Sequence, residues 1–478
     1  MSTCPATGGE DSSHGGASLC ATDEGEPPPL AAAPAPIETI TRESQAQRFA
    51  FGKGSQVQNA APRDPDPCRP KGWDDWRWQM ANRIRTPQQL AATFPHLAVG
   101  PDLMSVMAKY PMAITPYYAS LIRRADSSDP VFQICVPCAQ ELTDPPFLTP
   151  DPLEECHDMP VPGMVHRYPD RALVIATTMC STYCRHCTRK RIAGTRETSI
   201  TKRRLEQIAN YLTEHPQISD VIVSGGDPLT MSTEHLEMVL SRLREVPSVQ
   251  IIRLGTRVPV VLPMRITDEL CQMLRKYHPI WINTHFNHPQ ELTPESIAAC
   301  NRLSDAGVPL GNQSVLLRGV NDSPQIIERL CRALVRNRVR PYYLYQCDLV
   351  RGVEHFRTPV ARGMEIMEYL RGRLSGLAIP TFVVDAPHGG GKIPVLPTYV
   401  VSQSPTHTVL RNYEGMLIAY PEPQQRCEGQ CQTPQEDSAP GVWELTAGQY
   451  SRIQPEKTIR HARRRQPCCT SDESVGDF

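Results

Sequence analysis

The sequence predicts an α/β protein organised around a partial (β/α)6 TIM-type barrel. Two observations carry this. Between about residues 166 and 375, short apolar runs alternate with helix-length amphipathic stretches, the pattern of parallel βαβ units. Each predicted strand also carries or is followed by residues out of keeping with a plain turn, which suits a barrel, whose chemistry sits at the C-terminal strand ends. The candidate strands are Ala172–Thr177, Asp220–Val223, Gln250–Leu254, Ile280–Thr284, Leu310–Leu316 and Pro341–Gln346, with helices expected around 201–214, 234–244, 267–276, 293–306 and 324–336. A cysteine loop follows the first strand, Ser224-Gly225-Gly226-Asp227-Pro228 the second, Arg257 the third, and His285 with Asn287 the fourth; Gln313 lies within the fifth and Asp348 follows the sixth.

Residues 1–70 are rich in Pro, Ala, Gly, Ser and Glu, as in EGEPPPLAAAPAPIET, and lack hydrophobic periodicity, so a disordered tail is expected there. Over 71–165, WDDWRWQMANRI, TPQQLAATF and PDLMSVMAKYPMAITPYYASLI each have amphipathic helical spacing, which predicts a helical N-terminal subdomain. Trp73, Trp76 and Trp78 within it admit two readings, a core or a face for stacking nucleic-acid bases, and core is the commoner use. After the barrel region at 166–375, the segment 376–425 brings an apolar strand, a glycine-rich turn and another apolar run, GLAIPTFVVDAPHGGGKIPVLPTYVVSQ, expected to close one side of the open barrel. Residues 426–478 read as a mostly disordered tail, and there is no internal repeat.

Charge is balanced, 50 Lys+Arg against 51 Asp+Glu, so the net field argues for neither nucleic acid nor an anionic membrane as partner. The N-terminus has no signal-peptide pattern and no run reaches the roughly 18 apolar residues of a membrane span, so the expected location is the cytoplasm. Seventeen cysteines scattered over 478 residues fit a reducing compartment better than a disulfide framework.

Cys180, Cys184 and Cys187 stand at i, i+4 and i+7. Three thiolates so spaced can grip one four-iron cluster and leave one iron open for a ligand that is not protein. The alternatives are a loop with helix-spaced cysteines or a zinc site lacking a ligand. The C-x₃-C-x₂-C spacing resembles the signature of radical S-adenosylmethionine (SAM) enzymes, in which the open iron binds SAM and electron transfer releases a 5′-deoxyadenosyl radical. Ser224-Gly225-Gly226-Asp227 sets exposed backbone beside a carboxylate, with glycines that let a ligand approach the chain. It is similar to the Gly-Gly-Glu motif that binds the methionyl amine in that superfamily, with Asp in place of Glu.

In Asp385-Ala386-Pro387-His388-Gly389-Gly390-Gly391-Lys392 the glycines do not form a phosphate loop, because no Gly stands five residues before Gly391 and the residue after the lysine is Ile393 in place of Ser/Thr. A lysine flanked by glycines suits a Schiff base with pyridoxal phosphate (PLP), and equally a solvated lysine in a loop. Read together, Met179–Arg191, Ser224–Leu229, Asn283–Pro289, the YYLYQCDLVRGVEHFRTPV run at Tyr342–Val360 and Val384–Pro397 resemble the lysine 2,3-aminomutase family, PLP-dependent radical SAM enzymes, from about Trp73 to Tyr420.

The resemblance implies roles residue by residue. Cys180, Cys184 and Cys187 would ligate a [4Fe-4S] cluster, and Lys392 would bind PLP covalently and be catalytic. Arg167 and Arg171, in HRYPDRAL, match PLP-phosphate contacts, a task for guanidinium forks. Ser224, Gly225, Gly226, Asp227, His285 and Gln313 would form the SAM site. Arg189 would receive the substrate carboxylate, and Asp348 with Asp385 would clasp a distal ammonium, whereas a glutamate side chain would be repelled there. Without the resemblance, these arginines and aspartates would pass for solvated surface.

The implied reaction is a 1,2-amino shift converting L-lysine to L-β-lysine, with arginine as the rival substrate of the same chemistry and a non-catalytic iron-sulfur protein of this fold as the rival of another class. An electron donor such as a flavodoxin or ferredoxin and a homo-oligomer are expected with it. Two departures stand out. The family's PGGGGK reads PHGGGK, so His388 must take a backbone position suited to glycine. The clostridial-type intersubunit zinc site finds Ser323 in its loop and only Cys427 and Cys431 in the tail, which puts a structural zinc and the tetramer it supports in doubt.

Overall fold

A computed structural model of the chain describes residues 69–404 and 406–423. The chain divides between Pro67 and Cys68 into two units, the first lying outside the described residues. So do Cys427 and Cys431.

The described part begins with short helices whose starts are written locally. In α1 (Trp76–Ala81) the Asp75 carboxylate accepts from the Arg77 amide, and α2 (Pro87–Thr93) opens on a Thr86–Gln89 capping box. Helices α3 (Pro101–Lys109), α4 (Pro116–Ala119) and α5 (Pro130–Cys135) each begin on proline, whose missing N–H costs nothing at that position. The stretch expected as one long amphipathic helix is therefore two. Pro111 and Pro116 cannot sit in a helix interior, and between α3 and α4 the chain runs extended, with Ile114 forming an isolated bridge to Ile84. Trp73 and Trp76 pack on the core, and the Arg265 guanidinium lies 4.8 Å over the Trp76 ring, so these two rings serve the interior.

A nine-stranded sheet follows in strict chain order: β1 (Met164–Tyr168), β2 (Arg171–Thr177), β3 (Asp220–Gly225), β4 (Ile251–Gly255), β5 (Ile280–Thr284), β6 (Leu310–Leu316), β7 (Val339–Gln346), β8 (Thr381–Ala386) and β9 (Gly391–Pro394). Strands β2 to β8 are parallel, while β1 and β9 lie antiparallel at the two edges. The six expected strands are β2 to β7, within two residues at each end. The segment expected to close one side of the barrel supplies β8, a seventh parallel strand, before the chain reverses into β9. The sheet curls until its edges meet through side chains. The Lys392 amide of β9 donates to the Tyr168 hydroxyl of β1 at 3.1 Å, and Arg167 Nη1 of β1 lies 3.8 Å from Asp385 Oδ1 of β8.

Crossover helices α6 (Lys202–Glu214) and α7 (Thr233–Arg244) follow the first two parallel strands, and a one-turn helix α8 (Val258–Val261) follows β4. Then come α9 (Asp268–Arg275), α10 (Pro294–Asp305) and α11 (Pro324–Arg336). Their apolar stripes face the sheet: α6 buries Leu205, Ile208, Ala209 and Leu212 at helical spacing. Each large side chain so buried contributes about 1.5–3 kcal/mol. Helix α12 (Val360–Leu370), after β7, was not among the expected elements; Gly363 lets it sit directly on Phe382 of β8, where a Cβ would come within 2.1 Å of the ring. A separate meander of β10 (Val400–Gln403), β11 (His407–Arg411) and β12 (Leu417–Pro421) completes the described chain. Among the described residues, no helix is long and apolar enough to cross a membrane.

Candidate active site

The cysteine loop leaves the end of β2 and is fastened by the helical segment that precedes the sheet. The Tyr183 amide donates to the Ala113 carbonyl at 3.0 Å, the Arg185 amide to the Ile134 carbonyl at 2.8 Å, and Arg83 to the Cys180 carbonyl at 2.7 Å. Ion pairs reinforce these ties. Arg185, fully buried, forks onto Glu141 at 2.9 and 2.7 Å, and Lys190 Nζ reaches the same carboxylate at 2.7 Å. Burial opposes the charge on Glu141, but Arg185 and Lys190 outweigh it and hold its carboxyl below the ordinary value. The loop's own basic anchors are Arg185, between the second and third cysteines, and Lys190, just after the third.

All three motif cysteines line one cavity of about 200 Å³, together with Ser224, Gly225, Gly226, Asp227, Arg189 and His285. No fourth cysteine lines it among the described residues. Burial pushes the Cys180 thiol well above its ordinary value and the Cys187 thiol up to about 11. Three soft sulfur donors with no fourth cysteine among the described residues lining the cavity are the donor set that suits a four-iron cluster with one open iron. Arg257 Nη1 donates to Cys184 Sγ at 2.7 Å while Nη2 pairs with Glu291 at 2.6 Å.

The Ser-Gly-Gly-Asp turn is explained by packing. A Cβ at Gly225 would stand 2.4 Å from the Thr177 carbonyl oxygen, and one at Gly226 would stand 2.4 Å from that of Met179. The turn lies against the root of the cysteine loop, with the Asp227 amide donating to the Met179 carbonyl at 2.8 Å. The glycines thus admit the neighbouring backbone, and both also line the cavity. The Asp227 carboxylate accepts from the Thr256 hydroxyl and from the amides of Arg257, Val258 and Leu229, at 2.6, 2.6, 3.1 and 3.1 Å. Even against these bonds, burial leaves its carboxyl above the ordinary range. His285 is pushed down to about 4 by burial and then by the nearby Arg257, which keeps its imidazole neutral at pH 7.

A second group of residues gathers where the sheet edges meet. Lys392 Nζ lies 2.6 Å from Asp385 Oδ2 and 5.5 Å from the Tyr345 ring centroid, while Asp385 Oδ1 is buried without a hydrogen bond. Gln313, the residue expected within the fifth strand, donates to the Tyr345 hydroxyl at 3.1 Å and so stands next to this group. Arg167 donates to Asp158 at 2.9 Å, and Arg171 stacks 3.9 Å over Tyr168. An amine, two guanidiniums and aromatic rings in one place fit PLP by donor chemistry. His388 adopts φ 57°, the left-handed conformation its position requires, and its ring pairs with Glu154 at 3.1 Å.

Asp348 joins the two groups. The hydroxyl of Thr188, next in chain to Cys187, donates to Asp348 Oδ2 at 2.5 Å. Burial first, and Asp385 in addition, push the Asp348 carboxyl up to about 6. Arg189 is paired with Glu155 at 2.7 Å through Nη2 and at 3.0 Å through Nε. Burial opposes the charge on Glu155, but Arg189 and then Arg191 hold its carboxyl down at about 2. Sequence reasoning assigned no role to Thr188, Glu155, Tyr168, Tyr345 or Arg257. Only Arg257 carried a signal, a charged residue at a strand end.

Residues 174–330 match the radical SAM superfamily, and residues 367–477 match the lysine-2,3-aminomutase family. An L-lysine 2,3-aminomutase from Clostridium subterminale is 55% identical over 352 residues, covering 73% of this chain and 85% of the relative. One from Fusobacterium nucleatum is 50% identical over 399 residues, covering 82% of this chain and 94% of the relative. A glutamate 2,3-aminomutase from Clostridioides difficile is 45% identical over 347 residues, covering 72% and 82%.

Proposed function

Because the chain belongs to the lysine 2,3-aminomutase family of radical SAM isomerases, we propose that it moves the 2-amino group of L-lysine to C3, giving L-β-lysine. A glutamate enzyme stands among the relatives, so the substrate has to be argued from the site. The observation that carries lysine is Asp348, beside Asp385: among the described residues it bonds only the Thr188 hydroxyl and no cation, and a desolvated carboxylate is costly unless a cation meets it. Cys180, Cys184 and Cys187 would hold the cluster, which with SAM supplies the deoxyadenosyl radical. Lys392 would hold PLP, which supplies an unsaturated nitrogen for the migrating group.

The remaining residues act by position. Asp227 fixes the glycine turn, which with Ser224, His285 and Gln313 would shape the SAM site; neutral His285 adds no charge to it. Arg167 and Arg171 would face the PLP phosphate. Arg189, held on its Nε and Nη2 side by Glu155, would turn Nη1 toward the substrate carboxylate. A substrate anchored at both ends presents C2 and C3 to the radical in a single pose, which is the protein's main task. We place the reaction in the cytoplasm of a reducing cell, with a flavodoxin or ferredoxin as electron donor and the protein as a homo-oligomer.

The test is turnover of L-lysine against L-arginine and L-glutamate with SAM, PLP and reductant, read by mass and retention time. Lysine should lead. A tenfold or greater preference for arginine would overturn the substrate while leaving the chemistry in place.

A further inference from the structure

The two aspartates of the cation pocket are not equivalent. Asp385 already has cationic company: Lys392 Nζ at 2.6 Å and Arg167 Nη1 at 3.8 Å. Asp348 has none within hydrogen-bond reach among the described residues; its one bond is the short contact from the Thr188 hydroxyl. That bond takes Oδ2 and leaves Oδ1 for a ligand. Thr188 itself follows Cys187, so the loop that carries the cysteines also sets the direction of this carboxylate.

We infer that Thr188 is a positioning residue for substrate specificity: it aims Asp348 as the principal partner of the substrate's distal ammonium, while Asp385 chiefly serves the Lys392 amine. The inference rests on the lysine reading above and divides its carboxylate pair into two tasks. A free Lys392 amine needs an anion beside it whenever it is not bonded to cofactor, and Asp385 is that anion. A second ammonium arriving on Asp385 alone would compete with Lys392; one arriving on Asp348 would not. The arrangement also couples two distances, because a shift of the cysteine loop would move the cluster ligands and the ammonium anchor together.

The experiment uses the cofactor-loaded protein with SAM but without reductant, so that no turnover occurs. Equilibrium dialysis measures the dissociation constants of L-lysine and of L-norleucine, which lacks the distal ammonium. Thr188→Val should reduce the lysine-over-norleucine preference about tenfold, the scale of one hydrogen bond to a charged group, while Thr188→Ser stays within twofold of the parent. Thr188→Ala supplies a second hydroxyl-free variant should valine disturb the loop. Asp348→Asn should erase the preference and Asp385→Asn should retain most of it. An unchanged ratio in the valine and alanine variants, or equal loss of both ligands, overturns the role of Thr188. The reverse order of the two asparagine variants overturns the division of tasks. If the parent protein itself shows no preference for lysine, it is the substrate reading that fails.

Discussion

Arg257 donates a hydrogen bond to the sulfur of Cys184 at 2.7 Å, from a guanidinium whose other end is locked to Glu291 and the Tyr118 hydroxyl. A cation and an N–H at a cluster thiolate favour the reduced, more negative cluster and so raise its potential. Arg257→Lys keeps a charge for Glu291 but withdraws the N–H from sulfur. Loss of one hydrogen bond of about 0.5–1.5 kcal/mol should lower the potential by roughly 20–60 mV. An EPR-monitored redox titration reads this directly, and an unchanged or higher potential would exclude the contact as a tuning element.

Glu141 receives two buried cations, Arg185 and Lys190. Glu141→Gln leaves both without their anion, a change that costs about 3–5 kcal/mol in comparable buried pairs. The cysteine loop should loosen first. A lower Tm together with reduced iron incorporation is expected; a lower Tm with full iron content would mean that the pair supports the fold but not the loop.

Replacing any one of Cys180, Cys184 or Cys187 by Ala should abolish reductive cleavage of SAM. Alanine at Cys156, Cys271 or Cys300 should not, since none of these lines the cavity. Formation of 5′-deoxyadenosine by the triple variant under dithionite would remove the radical assignment.

Lys392 stands at the meeting of the two sheet edges, so borohydride reduction of the PLP-loaded protein should label the peptide that contains it. Lys392→Ala should lose the Schiff-base absorbance. A label on any other lysine would relocate the cofactor.

Asp348 gives a pH signature whose sign follows from its environment. Its carboxyl is raised to about 6 from 3.8, chiefly by burial, with Asp385 and Glu155 adding to the shift and Thr188 and the Lys392 cation opposing it. A raised carboxyl makes the ionised form costly in the folded protein, so the cost is absent below about pH 4 and complete above about pH 6. Asp348→Asn should therefore stabilise the protein at pH 8 by roughly 1–3 kcal/mol, with the gain shrinking toward pH 5. Lysine recognition should move the other way. In the parent protein kcat/KM for lysine falls as pH drops through about 6, and in the variant it is lowered by roughly 2–5 kcal/mol at pH 8. Thermal melts and kinetics across pH 5–8 check both; equal stability of the two proteins at pH 8 would refute the buried charge.

The sequence by itself determined what short-range spacing can encode. The spacing of the three cysteines and the alternation of β2 to β7 with their helices are set by residues within a few turns of each other, and these strands and helices stand where they were expected. The left-handed conformation at His388 was legible from the resemblance, which sets a histidine at a position suited to glycine. Tertiary structure decided the rest. That Gly225 and Gly226 admit the Thr177 and Met179 backbone, that Arg185 finds Glu141 and Arg189 finds Glu155, and that Thr188 reaches Asp348 across 160 positions depend on contacts between distant segments. The curl that brings Tyr168 to Lys392 is the clearest case. No local pattern records it, because it arises from the accumulated twist of nine strands, and only that closure gathers an amine, two guanidiniums and two carboxylates of unequal charge environment.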